Sequence, residues 1–321
     1  MNNLERTIAV SCMSNLPLEI QMDLVSSPVE ISDILALKAS EIHEITGKVV
    51  NCNWYGRNSR RYYEAFLRWV EKPGNKVTTV FDNSYPSLLQ EINDPPLLLT
   101  YRGTLEQSGR FLSVVGTRTA SERAVQAAFT LGLECAASGI TVVSGFARGI
   151  DQAVHQGALA LPASTWAVMG SGLVGLDKLP VRLVRGFLDR GGTFFSEFHP
   201  EATPLSWRFP IRNRIIAGLS PATVVVQAPG RSGSLITADH ALRQGRDVLV
   251  HRIGLDNAAG AGGRALVESG APVVHWLGEI VDACGFDFEI PYRAIVSTAE
   301  TGELRYRFGS NHYMLSTQVR L

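Results

Sequence analysis

Apolar positions fall into two textures along this chain. Up to about residue 76 they recur at helical spacing. VEISDILALKASEIHEITG repeats every three or four residues and stops at Gly47, and Arg60 to Glu71 carries a stripe of Tyr63, Phe66, Leu67 and Val70 before Pro73-Gly74. Such a stripe reads as core rather than as a binding surface. From Val77 the apolar residues gather into short runs between glycine and proline turns. VTTVF and Leu97 to Tyr101 read as strands on either side of Asp94-Pro95-Pro96, which forces an extended turn.

The strongest alternation lies between Phe111 and Leu161. Phe111 to Val115 is an apolar run halted by Gly116, Thr117 and Arg118, and helical spacing then continues to Ser138-Gly139. Ile140 to Val143 is a second run, ending in Ser144-Gly145, and another helix starts near Ile150. Further strands are predicted over Thr165 to Gly170, Thr193 to Ser196, Thr223 to Ala228 and Asp247 to His251, with helices over Val181 to Arg190 and Gly233 to Gln244. The stretch from Glu197 to Ser220 reads as irregular. A turn at Gly260, Gly262 and Gly263 precedes a short helix, and PVVHWL closes the sheet. Six strands alternating with helices predict an α/β fold, a doubly wound, mainly parallel sheet. The chain divides into a helical region (1–76), this main domain (77–284) and an unpatterned tail (285–321).

Composition narrows the class. With 321 residues, 45% hydrophobic and 19% charged, the chain is long enough for one large domain and a smaller companion. Formal net charge is zero, so no global positive field announces a polyanionic partner. Cys12, Cys52, Cys135 and Cys284 lie far apart without a CxxC spacing, which suits reduced thiols in a cytoplasmic protein and argues against a metal cluster. No run is long and apolar enough to cross a bilayer, and MNNLERTIAV lacks the pattern of a signal peptide. Neither a metal, a cofactor nor a membrane partner is expected.

The turns carry the chemistry. Gly116, Thr117 and Arg118 stand where a strand gives way to a helix, and free backbone N–H groups and the positive helix end favour an anion there. GxGxxG and GxxxxGK[ST] are both absent. A glycine after a strand also serves simply as a tight turn, but an arginine beside free N–H groups is suited to phosphate. Ser144, Gly145, Arg148 and Gly149 repeat the arrangement, with Asp151 in the following first turn as a cap, a partner of Arg148 or a carboxylate for catalysis. His155 lies one turn further and reads as structural. In WRFPIRNR, the cations Arg208, Arg212 and Arg214 interleave with Trp207 and Phe209 and adjoin Asn213, giving phosphate ligands beside flat faces on which bases stack. Between Leu205 and Arg252 seven arginines (208, 212, 214, 231, 243, 246, 252) face two acids, Asp239 and Asp247, so a neutral whole is expected to hide a basic face. Ser232, Gly233 and Ser234 open another helix, as an anion cradle or as ordinary caps.

Taken together and in order, these motifs resemble the DprA (Smf) family of DNA-processing proteins. The resemblance runs from about Tyr85 to Trp276, through YPSLLQEINDPPLLLTYRG, VVGTR, the SGFARGID…H…GAL run, SE, FPIRNRIIAGLS, SGSLITADHALRQGR and GGRALVESGA. It implies an extended Rossmann-like domain that binds single-stranded DNA, with Arg118, Gly145, Arg148, Phe209, Arg212 and Asn213 in the pocket motifs and no catalytic residue. It further implies a homodimer through Leu255 to Trp276, with Leu266 and Val267 as contacts, and a RecA-type recombinase as partner in natural transformation. The chain departs from the pattern at Gln227, where the family usually has glutamate. HRIG stands for the usual proline–glycine, and GLVGLDKLP lacks the tyrosine–proline. The family's C-terminal winged-helix domain does not fit into residues 285–321. Two other readings stay open on the residues. One is a nucleotide-hydrolysing phosphoribohydrolase with Asp151 or Glu197 as its carboxylate; the other is a sensor of a nucleotide-derived signal in phage defence.

Overall fold

Among the described residues five helices precede the sheet: α1 (Asn3–Ser11), α2 (Leu18–Ser26), α3 (Ile31–Ile34), α4 (Ala39–Thr46) and α5 (Ser59–Val70). The computed structural model describes residues 3–13, 16–50, 59–105, 109–256, 258–286, 295–298, 304–308 and 311–315. VEISDILALKASEIHEITG, read as one helical stretch, divides into α3 and α4, and Gly47 ends it in the left-handed region at φ 68°. Arg6 ties α1 to the end of α2, with Nε donating to Val25 O at 2.7 Å and Nη2 to Val29 O at 2.6 Å.

The main domain continues with β1 (Lys76–Thr79), α6 (Ser87–Gln90), β2 (Leu98–Arg102), β3 (Arg110–Val115), α7 (Glu122–Ala137), β4 (Ile140–Ser144), α8 (Ile150–Ala158), β5 (Thr165–Val168), α9 (Val181–Asp189) and β6 (Gly192–Ser196). It ends with α10 (Arg208–Gly218), β7 (Ala222–Val225), α11 (Gly233–Arg243), β8 (Asp247–His251), α12 (Ala261–Glu268), β9 (Val273–Val274) and α13 (Leu277–Cys284). Among the described residues nine strands form one sheet in the order β1-β2-β6-β5-β4-β3-β7-β8-β9. The strands from β3 to β9 pair in parallel, whereas β2 pairs antiparallel with β6 and β1 with β2. The doubly wound, mainly parallel sheet is the architecture the alternation predicted.

Helices on both faces explain why these strands are near-continuous apolar runs. Along β3, Leu112 and Val114 pack with α7 and α8, while Val115 joins Ile215 and Ile216 of α10 on the other face. Helices α7 and α8 touch through small residues: a Cβ on Gly157 would stand 1.9 Å from Phe129 O. The start of α8 meets the end of β3, where Ile150 lies against Gly116.

Two sequence expectations change. Glu197 to Ser220 is not irregular throughout, because Arg208–Gly218 is helical. Pro210 sits in the first turn, where no N–H is required. The helix is buried nearly all round, at Arg212 and Asn213 as well as Ile215 to Gly218, so it shows no apolar stripe. In the segment read as an unpatterned tail, β10 (Ile295–Thr298), β11 (Leu304–Phe308) and β12 (Asn311–Leu315) pair as an antiparallel meander. Cys12, Cys135 and Cys284 are free thiols, and Cys52 lies outside the described residues. Among the described residues no helix is long and apolar enough to span a membrane, and no group of three metal-ligating side chains is gathered.

Candidate nucleic-acid interface

From β3 the sheet proceeds to β4 on one side and has β7 on the other. The crevice beyond the carboxyl ends of β3 and β7 is therefore the switch point at which doubly wound sheets bind ligands. The turns after β3 and β4 and the starts of α10 and α11 meet there around a cavity of about 710 Å³. A second cavity of about 480 Å³ adjoins it, and Arg118, Ala147 and Phe209 line both.

The first turn is held from beneath. Thr117 N donates to Gln227 O at 2.8 Å, and the Gln227 side-chain oxygen accepts from Ser121 N at 2.9 Å. Gln227, which departs from the family's glutamate, thus ties β7 to the start of α7. A Cβ on Gly116 would lie 2.5 Å from Ile150, so only glycine fits there. Arg118 stays exposed, with its guanidinium 5.4 Å from the Phe209 ring centroid.

The second turn divides the expected residues. Ser144 is fully buried, and its hydroxyl donates to Val114 O at 2.6 Å, so it stands behind the crevice rather than in it. Gly145 and Arg148 line the smaller cavity. Gly149 adopts φ 84°, and a Cβ there would stand 2.4 Å from Thr117 O; its part is to let the two turns touch. Asp151 neither holds Arg148 nor forms an ion pair. Its Oδ2 accepts from Ala147 N at 3.3 Å, and it faces Arg212 across Gly145. Burial pushes its carboxyl up to about 6, against the opposing pull of the Arg212 charge. His155 is structural as read: fully buried, hydrogen-bonded through Nδ1 to Thr165 Oγ1 at 2.8 Å, and driven down to about 3 first by burial and then by Arg212.

Helix α10 sorts its residues by angle. Phe209 and Arg212 are three apart and share the crevice face, where the Arg212 guanidinium lies 5.9 Å from the Phe209 centroid. Phe209 also covers Gly170, where a Cβ would meet its ring at 2.6 Å. Arg212 is 4% exposed. Its Nη1 donates to Gly145 O at 3.0 Å and to Val168 O, and its Nε to Asn213 Oδ1 at 3.2 Å. Burial lowers its pKa to about 10, which leaves it charged at neutral pH. Asn213 Nδ2 donates to Gly233 O at 3.0 Å and so joins α10 to the start of α11.

Arg214, expected in the site, points elsewhere. It lies five residues beyond Phe209, about 140° further round the helix. Its two terminal nitrogens pair with Glu197 at 2.8 and 2.6 Å and its Nε with Asp94 at 2.8 Å. Trp207 and Arg208 also lie outside both cavities. Trp207 is 53% exposed, and Arg208 stacks 4.9 Å from it and 5.3 Å from Phe198 while donating to Thr203 O. At α11, Ser232 caps the helix by accepting from Ser234 N at 3.3 Å, and Gly233 has open space above it. These three residues line the larger cavity with Arg231, which sequence reasoning counted but gave no role. Lys178 borders the smaller cavity; no pattern pointed to it.

The expected basic face between Leu205 and Arg252 dissolves in three dimensions. Arg214, Arg243, Arg246 and Arg252 each meet an acid within 2.9 Å, and Glu91, Asp94, Glu197 and Asp256 among those acids lie outside the stretch. What replaces it is a smaller constellation drawn from separate turns: Arg118, Arg212 and Arg231 about the larger cavity, against Asp151.

Residues 76–285 match the family described as DNA recombination-mediator protein A. Protein Smf of Escherichia coli K12 is 37% identical over 229 residues, 71% of this chain and 61% of that protein. The DNA processing protein DprA of Streptococcus pneumoniae is 36% identical over 220 residues, 67% of this chain and 77% of that protein. This chain thus spans less than two thirds of the Escherichia coli relative. Among solved structures, DNA processing protein A from Streptococcus pneumoniae superposes with a TM-score of 0.69 at 30% identity, over 90% of this chain and 99% of that one. DNA processing protein A from Helicobacter pylori, whose single-stranded DNA binding mode that structure addresses, gives 0.56 at 24% identity over 67% and 98%, a likeness of fold. On the matched domain and these relatives, the chain belongs to the DNA recombination-mediator protein A family, the DprA and Smf proteins.

Proposed function

We infer that the switch-point crevice binds single-stranded DNA without transforming it. The observation that carries this reading is Phe209, a ring set between two cavities with the guanidinium groups of Arg118 and Arg212 at 5.4 and 5.9 Å from its centroid. A flat face beside phosphate-binding cations is the arrangement that holds an unpaired strand, because every base offers a face to stack while the charges follow the backbone. Family membership supports the same reading. Of the carboxylates in the hydrolase alternative, Glu197 is held by Arg214, and Asp151 accepts from Ala147 N beside Arg212. A RecA-type recombinase as partner, action in the cytoplasm and a homodimer through Leu255 to Trp276 belong to the same proposal. Leu266 packs partly on the core, so its contribution to a dimer would be its remaining exposed edge.

The test is a mobility-shift titration with single- and double-stranded oligonucleotides, run beside a nucleotide-hydrolysis assay and light scattering. Tight binding of single strands, weaker binding of duplex and no turnover are expected. Preference for duplex, or hydrolysis that tracks the protein, would overturn the reading.

A further inference from the structure

Phe146 is the only non-glycine residue with positive φ among the described residues, at 57°. It sits in the second turn of the crevice, between Gly145 and Ala147. Glycine would adopt this conformation freely, whereas a side chain there is strained, and such strain persists only where the surroundings impose it. The imposing contacts are aromatic. The ring, 8% exposed, stands edge-to-face with Phe194 at 5.0 Å and with Phe187 at 5.1 Å, and tilts against His155 at 5.8 Å.

His155 adds a second anomaly at the same place. The Thr165 hydroxyl donates to Val142 O at 3.0 Å, so the imidazole Nδ1 carries the proton and donates to Thr165 Oγ1. Its Nε2 is then an acceptor, buried and without a partner among the described residues. A strained backbone and an orphaned acceptor thus stand at one aromatic cluster, and each costs stability.

The turn they hold makes three connections of the site. Gly145 O receives Arg212, Ala147 N donates to Asp151, and Gly149 lies beneath Thr117 O. Arg148 is exposed at the smaller cavity with no side-chain partner among the described residues. Phe146 is buried and Arg148, two residues on in the same turn, is exposed, and both line the smaller cavity. Resting on the single-strand reading above, we propose that Phe146, clamped by Phe187, Phe194 and His155, is a positioning residue that sets the 145–149 turn and thereby aims Arg148 at a DNA phosphate.

The experiment measures affinity for a labelled oligothymidylate against salt concentration, on variants whose melting curves show them folded at the assay temperature. Phe146→Gly keeps the left-handed conformation accessible but releases the ring. It is expected to weaken binding about tenfold and to flatten the slope of log K against log salt by about 0.7, one phosphate contact. Arg148→Ala is expected to do the same, and the double variant to be no worse than either single, since both remove one interaction. Phe187→Leu removes the clamp at a buried residue outside both cavities and should reproduce the lowered slope. Wild-type affinity and slope in Phe146→Gly would overturn the proposal, as would a double variant whose losses add. A loss confined to Phe146→Gly, with Phe187→Leu normal, would replace positioning by direct contact of the ring with a base. If the wild type itself fails to bind single strands, the binding reading falls; normal wild-type binding with an unaffected Phe146→Gly sinks the positioning role alone.

Discussion

Arg212 and Gly145 are fitted to each other: Nη1 donates to the Gly145 carbonyl at 3.0 Å, and a Cβ on Gly145 would stand 2.8 Å from Nη2. The same Cβ would lie 2.7 Å from Asp151 Oδ2, so the lack of a side chain reserves the space between acid and guanidinium. Gly145→Ala must displace one or both groups. We expect it to raise the Kd for a single-stranded oligonucleotide about tenfold, or about 1.4 kcal/mol. Arg212→Lys should do likewise, because an ammonium does not reproduce a planar fork shared among several acceptors. Fluorescence anisotropy reads both; unchanged affinity in the pair would remove Arg212 from the site.

Phe209 and Arg118 separate stacking from charge. Phe209→Ala is expected to cost about 1–3 kcal/mol of single-strand affinity with little change across base types, while Phe209→Tyr or Trp largely keeps it. Arg118→Ala should instead lower the slope of log K against log salt by about 0.7. Because Phe209 also covers Gly170, stability must be followed on the same preparation. A large drop in melting temperature, with the remaining folded protein binding normally, would make Phe209 a packing residue.

Arg214 supplies the contrast. It is 11% exposed in its side chain and Glu197 is 13% exposed, so Arg214→Ala leaves a largely buried carboxylate unpaired. The loss of stability is expected to be about 3 kcal/mol, with single-strand affinity intact at temperatures where the variant is folded. Weakened binding without a stability loss would return Arg214 to the interface.

Most of the sheet was legible because its strands are apolar runs ended by glycine, and both glycine turns with their arginines proved to flank the crevice. What the sequence concealed is angular and long-range. WRFPIRNR reads as one basic, aromatic motif, yet the helical turn sends Phe209 and Arg212 one way and Arg214 another. Pairing with Glu91 and Asp94 is invisible along the chain, so Arg214 and Arg246 looked free when they were not, whereas Asp256 pairs with Arg252 from one helical turn beyond the stretch that was counted. Ser144 looked like a turn residue, but a strand that is buried to its last position takes its hydroxyl for Val114 O. Arg231 gained its place from the crevice, since nothing in GRSGS distinguishes a cavity wall from an ordinary cap.

The buried acid makes the site sensitive to pH. Burial raises Asp151 from its ordinary 3.8 to about 6, so the folded chain holds that proton more tightly than the unfolded chain does. Its contribution to stability is therefore lost as pH rises from about 4 through 6. Binding follows the same sign. DNA phosphates stay ionised over this range, and an ionised Asp151 opposes them beside Arg212, so affinity for single strands should rise as pH falls through about 6. Two unit charges about 4 Å apart in water interact by about 1 kcal/mol, so an effect on the order of fivefold in Kd is expected. Asp151→Asn should bind at pH 7.5 as tightly as wild type does near pH 5, and the difference between the two profiles isolates this group from histidines that titrate in both. Its melting temperature is also expected to decline less between pH 4 and 6 than that of the wild type. If the Asn variant keeps the wild-type pH profile for binding, the carboxylate does not face the DNA.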